Sequence, residues 1–134
     1  MEIIYSDNDV IVVNKPPGIS VHGGNSIEGE TLVDFLLEKF PEIRGVGDEP
    51  RIRPGIVHRL DKDTTGVMVV ARNQKSFEYL KNLFKTRQVE KTYWAIACGR
   101  VKEKRGVMNM SIGRLAKSPV KRGVGGGRSQ IRGE

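Results

Sequence analysis

The segment "IVHRLDKDTTGVMVVARN", residues 56–73, joins a cluster of charged side chains directly to an apolar strand. Apolar residues at both alternating positions of 66–71 predict a strand that is covered on both faces. Just before this strand the chain carries two carboxylates, Asp61 and Asp63, among basic residues. Charged groups on a loop at the end of a rigid strand are well placed for chemistry, so this segment is the first candidate for a functional site.

The hydrophobic pattern of the remaining chain predicts strands and helices in mixed order. Strands are predicted near residues 3–5, 10–14, 89–101 and 107–112. Helices are predicted within 31–40 and 74–87, the second capped by Asn73. Residues 118–134 are rich in glycine and basic residues, which predicts a flexible loop. Without regular β-α-β spacing, this order favours an α+β domain with a mixed, largely antiparallel sheet flanked by helices.

The composition is that of an ordinary globular protein. A chain of 134 residues fits one domain, and its 37% hydrophobic content is sufficient for a core. No apolar run is long enough to span a membrane, and the N-terminus has no secretory signal pattern. A single cysteine, Cys98, excludes an internal disulfide, and we expect it to be a buried strand residue. We therefore expect a cytoplasmic monomer without a metal site.

The charge is unevenly distributed along the chain. The net charge of +7 divides into −5 for residues 1–71 and +12 for residues 72–134. A basic half of this kind favours a polyanionic partner, with nucleic acid as the first candidate. A solvated basic surface that maintains solubility explains the charge equally well. The acidic half favours one oriented basic face over general coating of a polyanion.

Asp61 is the candidate catalytic residue. Arg59 and Lys62 flank it, and a nearby cation keeps a carboxylate ionised, as a nucleophile or general base requires. Asp61 and Asp63 together also resemble the carboxylate pair of a glycosidase. The alternative is a purely structural role, in which "DKDTTG" is an ordinary turn and Gly66 takes a positive φ. Residue chemistry alone favours the turn.

Three motifs in order resemble the RluA branch of the pseudouridine synthases. "HRLDKDTTGVMVVARN" is similar to the catalytic motif of that branch, and "DVIVVNKPPGISVH" is similar to its N-terminal strand and Lys-Pro-Xaa-Gly turn. "VEKTYWAIACGRV" is similar to its Lys-Xaa-Tyr strand. The related branch usually has glycine where His58 stands, so His58 favours the RluA side.

The resemblance implies a fold, an activity and roles for individual residues. It implies the pseudouridine synthase fold and the isomerisation of uridine to pseudouridine in ribosomal or transfer RNA, without cofactor or metal. Asp61 matches the essential nucleophile or base. Arg59 matches the residue that enters the space left by a flipped uridine, and Tyr93 matches the residue that packs on the uracil.

The remaining motif positions receive supporting roles by the same resemblance. His58 is expected to orient the loop, and Thr65 and Gly66 to shape it. Together with Leu60 and Arg59, these residues are expected at the substrate side of the site. Lys15 and Pro16 match a structural motif, and His22 receives no role.

One motif of the family has no acceptable match in the chain. The family has a further Gly-Arg-Thr-His-Gln-Ile-Arg motif, and "GRSQIR", residues 127–132, is one residue shorter and lacks the histidine. We therefore expect the chain to hold the N-terminal part of a synthase catalytic domain. The alternative function is an RNA-binding module that lacks catalysis.

Overall fold

A computed structural model describes residues 1–23, 29–102, 104–107, 109–110, 112–115 and 118–124 of the chain. The chain divides into two compact units, Met1–Thr92 and Tyr93–Glu134. Each unit is described by itself. The "GRSQIR" segment, residues 127–132, lies outside the described residues.

The first unit is built on a three-stranded antiparallel sheet. Its strands are β1 (Glu2–Ser6), β2 (Val10–Lys15) and β3 (Gly66–Ala71), in the order β1-β2-β3. The register pairs Val10 with Ala71 at one end and Lys15 with Gly66 at the other. The charged loop that precedes β3, residues 58–65, therefore enters β3 directly beside Lys15, the residue at which β2 ends. The predicted strands at 3–5, 10–14 and 66–71 are confirmed.

Both predicted helices are present, and both begin at a capping box. In α1 (Leu32–Lys39), Thr31 and Asp34 bond reciprocally to each other's backbone N–H groups. In α2 (Gln74–Lys85), Asn73 and Ser76 do the same, so the predicted Asn73 cap is confirmed. Pro41 lies at the first position of a short 3-10 helix, Pro41–Gly45, which follows α1. The α+β class and the antiparallel sheet are confirmed.

The core of the first unit lies between the sheet and α1. Its largest cluster of buried side chains comes from β2, β3, α1, the 3-10 helix and the loops between them: Ile11, Val13, Val21, Leu32, Val33, Leu36, Ile43, Ile56, Leu60, Met68 and Val70. Successive strand residues point to opposite faces, and Ala71 accordingly packs with Phe77 of α2 in a second cluster. Val67 lies at the other end of β3 and is 63% exposed. The expectation that β3 is covered on both faces is thus wrong at its beginning, where the Val67 side chain is exposed.

A close backbone approach ties the connection before the charged loop to β3. Gly55 has φ of +69° and donates its N–H to the Val46 carbonyl, while its own carbonyl accepts from Ala71 N–H. A Cβ atom at Gly55 would lie 2.4 Å from the Ala71 oxygen. Only glycine fits this conformation and this spacing.

The second unit contains a β-hairpin, which differs from the sequence-based expectations in two places. Its strands are β4 (Ile112–Leu115) and β5 (Ser118–Val124), paired antiparallel. The strand expected at 107–112 therefore begins where it was expected to end. Residues 118–124, expected as the start of a flexible loop, form β5 instead, because they pair with β4. The remainder of that loop, from residue 125, lies outside the described residues.

The strand expected at 89–101 is not formed. A strand needs a partner whose backbone groups complete its hydrogen bonds, and no described residue pairs with this segment. Its large side chains, among them Trp94 and Ile96, are exposed. Cys98 is exposed as well, which contradicts the expectation of a buried strand cysteine.

Candidate active site

The charged loop, residues 58–65, is anchored at both ends to rigid structure. Near its start, Leu60 is 7% exposed and lies in the main core cluster. The loop then turns, with Thr64 N–H donating to the Asp61 carbonyl over 3.1 Å. At its end Gly66 has φ of +140°, which confirms the predicted positive φ. The side chain of Asp61 is exposed between these anchors.

His58 is held by a ring stack and a backbone hydrogen bond. Its ring lies 4.5 Å from the Phe84 ring, with 17° between the planes. Its Nε2 atom accepts the N–H of Val69 over 3.1 Å, so β3 gains a partner along that edge. Burial lowers the pKa of His58 to about 4, and the charge of Lys91 acts in the same direction. The ring is therefore a neutral acceptor at pH 7 and fixes the direction in which the loop leaves residue 58.

Lys15 joins the "KPPG" turn to the charged loop. Its side chain is fully buried, and its ammonium group donates to three carbonyls: Pro16 at 3.0 Å, Ile19 at 2.9 Å and Lys62 at 2.9 Å. The Lys62 carbonyl also accepts Gly18 N–H. Because the same loop carbonyl receives donors from Lys15 and from the turn, the two segments form one clamp.

Thr65 completes this clamp from the side of the loop. Its hydroxyl donates to the Lys15 carbonyl over 2.8 Å. The expected loop-shaping position is thus bonded to the end of β2. Here the loop donates to Lys15, whereas in the Lys15–Lys62 hydrogen bond Lys15 donates to the loop. Each of the two segments therefore donates one hydrogen bond to the other.

The cation that interacts with the loop carboxylates is Lys15. Burial lowers the pKa of Lys15, while the negative charges of Asp63 and Asp61 act in the opposite direction. Within the described chain, no ion pair of 4.0 Å or less joins Asp61 to Arg59 or Lys62. The buried lysine of β2 thus adds a positive charge beside the carboxylates of the loop, and Asp61 forms no close ion pair with its sequence neighbours in the described residues.

Arg59 contacts a residue to which the sequence assigned no role. Its Nη1 atom lies 3.1 Å from His22 Nε2, and both side chains are at the surface. A guanidinium can only donate, so the histidine nitrogen is the acceptor. The other ring nitrogen, Nδ1, lies 2.9 Å from the Gly23 carbonyl and donates to it.

The structure brings six of the seven predicted site residues into one loop: His58, Arg59, Leu60, Asp61, Thr65 and Gly66. Leu60 is buried in the core, which makes it an anchor of the loop. Tyr93 is the first residue of the second unit, where its side chain is 60% exposed.

Sequence reasoning missed the electrostatic role of Lys15, although a signal was present. In β2 the residues at 11, 13 and 15 share one face, and the first two are core residues. A lysine at the next position of that face is therefore predicted to be buried. Buried lysines are rare unless they have partners, which marks Lys15 as a residue with a specific function in the structure.

A cavity elsewhere in the first unit is less suited to chemistry. It has a volume of about 150 Å³ and lies between α2 and the segment before the charged loop. Its charged residues pair among themselves, Arg53 with Glu49 and Lys81 with Asp48, both at 2.8 Å. No residue of the predicted site lines it.

Within the described part of the chain, no group of three or more His, Cys, Asp and Glu side chains is arranged to hold a metal ion. None of the described helices is long and apolar enough to cross a membrane.

Comparison with known proteins places the chain in a family. The model of the RNA pseudouridylate synthase family matches residues 9–131. An uncharacterised RNA pseudouridine synthase from Synechocystis sp. is 40% identical over 124 residues, 92% of this chain and 37% of the relative. Ribosomal large subunit pseudouridine synthase D from Borreliella burgdorferi is 47% identical over 97 residues, 72% of this chain and 30% of the relative.

A solved structure gives a shorter match. Human RNA pseudouridylate synthase domain containing 4 is 36% identical, with a TM-score of 0.48, over 64% of this chain and 30% of the human chain. The chain thus spans about a third of the length of the curated relatives described above. The family match nevertheless includes the anchored loop, the "KPPG" turn and both helices of the first unit. The chain belongs to the RNA pseudouridylate synthase family.

Proposed function

We propose that the protein isomerises uridine to pseudouridine in structured RNA, with Asp61 as the catalytic carboxylate. The observation that carries this proposal is the clamp. The chain belongs to the RNA pseudouridylate synthase family, and its exposed Asp61 carboxylate lies on a loop that Lys15 and Thr65 tie to the end of β2. Such anchoring keeps a catalytic group in place without blocking access to it.

The reaction requires little beyond a positioned carboxylate and an extruded base. The bond between N1 of uracil and C1′ of ribose breaks, the base rotates, and a bond forms between C5 and C1′. The proton leaves C5 and N1 carries one in the product, so the overall change is an isomerisation. Asp61 acts at the ribose as nucleophile or base, Arg59 enters the vacated stack, and Tyr93 packs on the uracil.

The substrate we propose is large-subunit ribosomal RNA. A relative from Borreliella burgdorferi and one from Yersinia pestis, 39% identical over 122 residues, are both named for the ribosomal large subunit. The charge supports an RNA substrate, since residues 93–134 carry 10 Lys and Arg against 2 Asp and Glu, a net charge of +8. Residues 1–92 have a net charge of −1. RNA binding by electrostatic attraction is therefore proposed for the second unit.

The experiment that tests this proposal compares Asp61→Asn with a matched variant, Asp63→Asn. Both changes remove one negative charge from the same exposed loop and keep the size of the side chain. RNA uniformly labelled with uridine tritiated at C5 loses tritium to water when pseudouridine forms. We expect release by the parent and by Asp63→Asn, and none by Asp61→Asn, while all three bind RNA with affinities within about threefold of each other.

Other outcomes assign other functions. Equal release by both variants would remove Asp61 from the catalytic role. Equal loss of RNA affinity and release in Asp61→Asn would show that Asp61 serves binding. Binding by the parent without any release would support the second candidate function, an RNA-binding module without catalysis.

A further inference from the structure

The contact between Arg59 and His22 joins two parts of the chain that are 37 residues apart. Arg59 Nη1 donates to His22 Nε2 over 3.1 Å. Within the described residues, Arg59 forms no ion pair with a carboxylate, although Asp61 and Asp63 lie on the same loop. Among the described residues, the one hydrogen-bond partner of its guanidinium is thus a ring nitrogen.

The hydrogen bonds of His22 define its tautomer. Nδ1 carries the proton and donates to the Gly23 carbonyl at 2.9 Å, which leaves Nε2 without a proton and free to accept from Arg59. The ring is neutral in this arrangement. The contact therefore directs the Arg59 side chain without neutralising its charge, whereas an ion pair would do both.

Both ends of the contact rest on buried residues. Val21, next to His22, is 1% exposed, and its carbonyl accepts Val33 N–H at the start of α1 over 3.0 Å. Arg59 lies between His58, which stacks on Phe84, and Leu60, which is in the core. Buried neighbours thus fix the backbone next to both His22 and Arg59. The hydrogen bond between their side chains then determines where the guanidinium lies.

We propose that His22 is a positioning residue that holds the Arg59 guanidinium ready for insertion into the RNA stack. This inference rests on the proposed function, in which Arg59 fills the space left by the extruded uridine. A neutral acceptor suits this role, because it leaves the positive charge of Arg59 available to attract RNA. When Arg59 moves into the stack, it gives up only the one hydrogen bond to His22. His22 itself acts only through Arg59.

The first experiment measures the contact without any need for activity. Long-range proton–nitrogen NMR correlations of the histidine rings report which nitrogen carries the proton. We expect the Nδ1–H tautomer for His22 in the parent chain, because the Gly23 carbonyl accepts that proton, and a changed Nε2 chemical shift in Arg59→Ala, where the donor to Nε2 is missing. His58 serves as the internal control, because its Nε2 accepts from Val69 N–H and its tautomer is unaffected by Arg59.

The second experiment measures tritium release by His22→Leu, His22→Gln and Arg59→Ala. We expect His22→Leu to lower the rate roughly three- to tenfold, the loss that one hydrogen bond produces. Glutamine retains an acceptor, so His22→Gln should recover most of the rate. In the Arg59→Ala background, His22→Leu should cause no further loss, because the residue it positions is gone.

The outcomes separate this inference from the proposed function. An Nε2–H ring in the parent, or an Nε2 chemical shift that Arg59→Ala leaves unchanged, would overturn the role of His22. Additive losses in the double variant would overturn it as well, since His22 would then act independently of Arg59. If the parent releases no tritium, the proposed function fails, and the NMR result alone decides whether His22 positions Arg59.

Discussion

At the scale of single residues, Lys15 shows how a buried charge is accommodated. Desolvation of an ammonium group is costly, and the cost is offset only when its protons are bonded and an opposite charge is near. Lys15 meets both conditions with three carbonyl acceptors and the influence of Asp63 and Asp61. The same contacts that make its burial tolerable also fix the loop that carries Asp61.

The pKa of His58 predicts a loss of stability in mild acid. The folded value is about 4, against an ordinary value of 6.5 in the unfolded chain. Between these two values the unfolded state binds a proton that the folded state does not, so stability falls as the pH is lowered through this window. One pKa unit corresponds to about 1.4 kcal/mol, which, discounted for partial exposure of the ring, gives on the order of 2 kcal/mol.

Substitution of His58 tests this prediction. Urea unfolding at pH 7 and at pH 4.5 should show a smaller acid-dependent loss of stability in His58→Gln than in the parent. If His58→Gln loses as much stability in acid as the parent, the depressed pKa of His58 is not its source.

Single residues also show what the sequence predicts about the site. The Asp61 loop, the Asn73 cap and the positive φ of Gly66 follow from local patterns, because each depends on a few neighbouring residues. The partner of Arg59 and the three acceptors of Lys15 depend on segments brought together by folding. Composition and spacing carry no information about such distances, so the sequence does not reveal these partners.

At the scale of elements, the clamp between the "KPPG" turn and the charged loop is open to a direct test. Lys15→Met keeps an apolar stem in the same space and removes the three hydrogen bonds of the ammonium group. We expect Gly18 N–H, which donates to Lys62, to lose protection from hydrogen exchange. Protection of Phe77 N–H in α2 should remain as a control. Unchanged protection at Gly18 would show that the turn and loop associate without Lys15.

The approach of Gly55 to β3 is a second element-scale prediction. Gly55→Ala places a Cβ 2.4 Å from the Ala71 oxygen and forces an L-residue to φ of +69°. The left-handed conformation alone costs about 1–2 kcal/mol, and the displaced strand edge adds a similar amount. The denaturant midpoint should therefore fall clearly below that of the parent.

Gly45→Ala is the appropriate control for Gly55→Ala. It lies in the 3-10 helix, and a Cβ there meets nothing within 4 Å. Its midpoint should stay close to that of the parent. Equal midpoints for the two variants would mean that the segment before the charged loop does not need its close contact with β3.

Elements that complete their own hydrogen bonds were predicted better than those that need a distant partner. Both helices follow from periodicity and caps. The alternation in residues 89–101 is equally strand-like, yet no described residue pairs with it. Residues 118–124 show the reverse case, since a composition typical of loops forms β5 once β4 is beside it. Pairing, rather than propensity, decides these strands.

At the scale of the whole molecule, the Asp61 loop and most of the positive charge belong to different units. The Asp61 loop lies in Met1–Thr92, which is nearly neutral, whereas the net charge of +8 belongs to residues 93–134. The asymmetry along the chain predicted a polyanionic partner, and membership of the RNA pseudouridylate synthase family indicates which class of polyanion to test first.

The most direct test of the central claim is to map pseudouridine in large-subunit ribosomal RNA that lacks the modification. Reverse transcription after carbodiimide treatment stops at each pseudouridine. Incubation with the parent chain should produce new stops at defined uridines, and incubation with Asp61→Asn should produce none. New stops with Asp61→Asn, or none with the parent, would contradict the assignment of Asp61 as the catalytic carboxylate of a pseudouridine-forming enzyme.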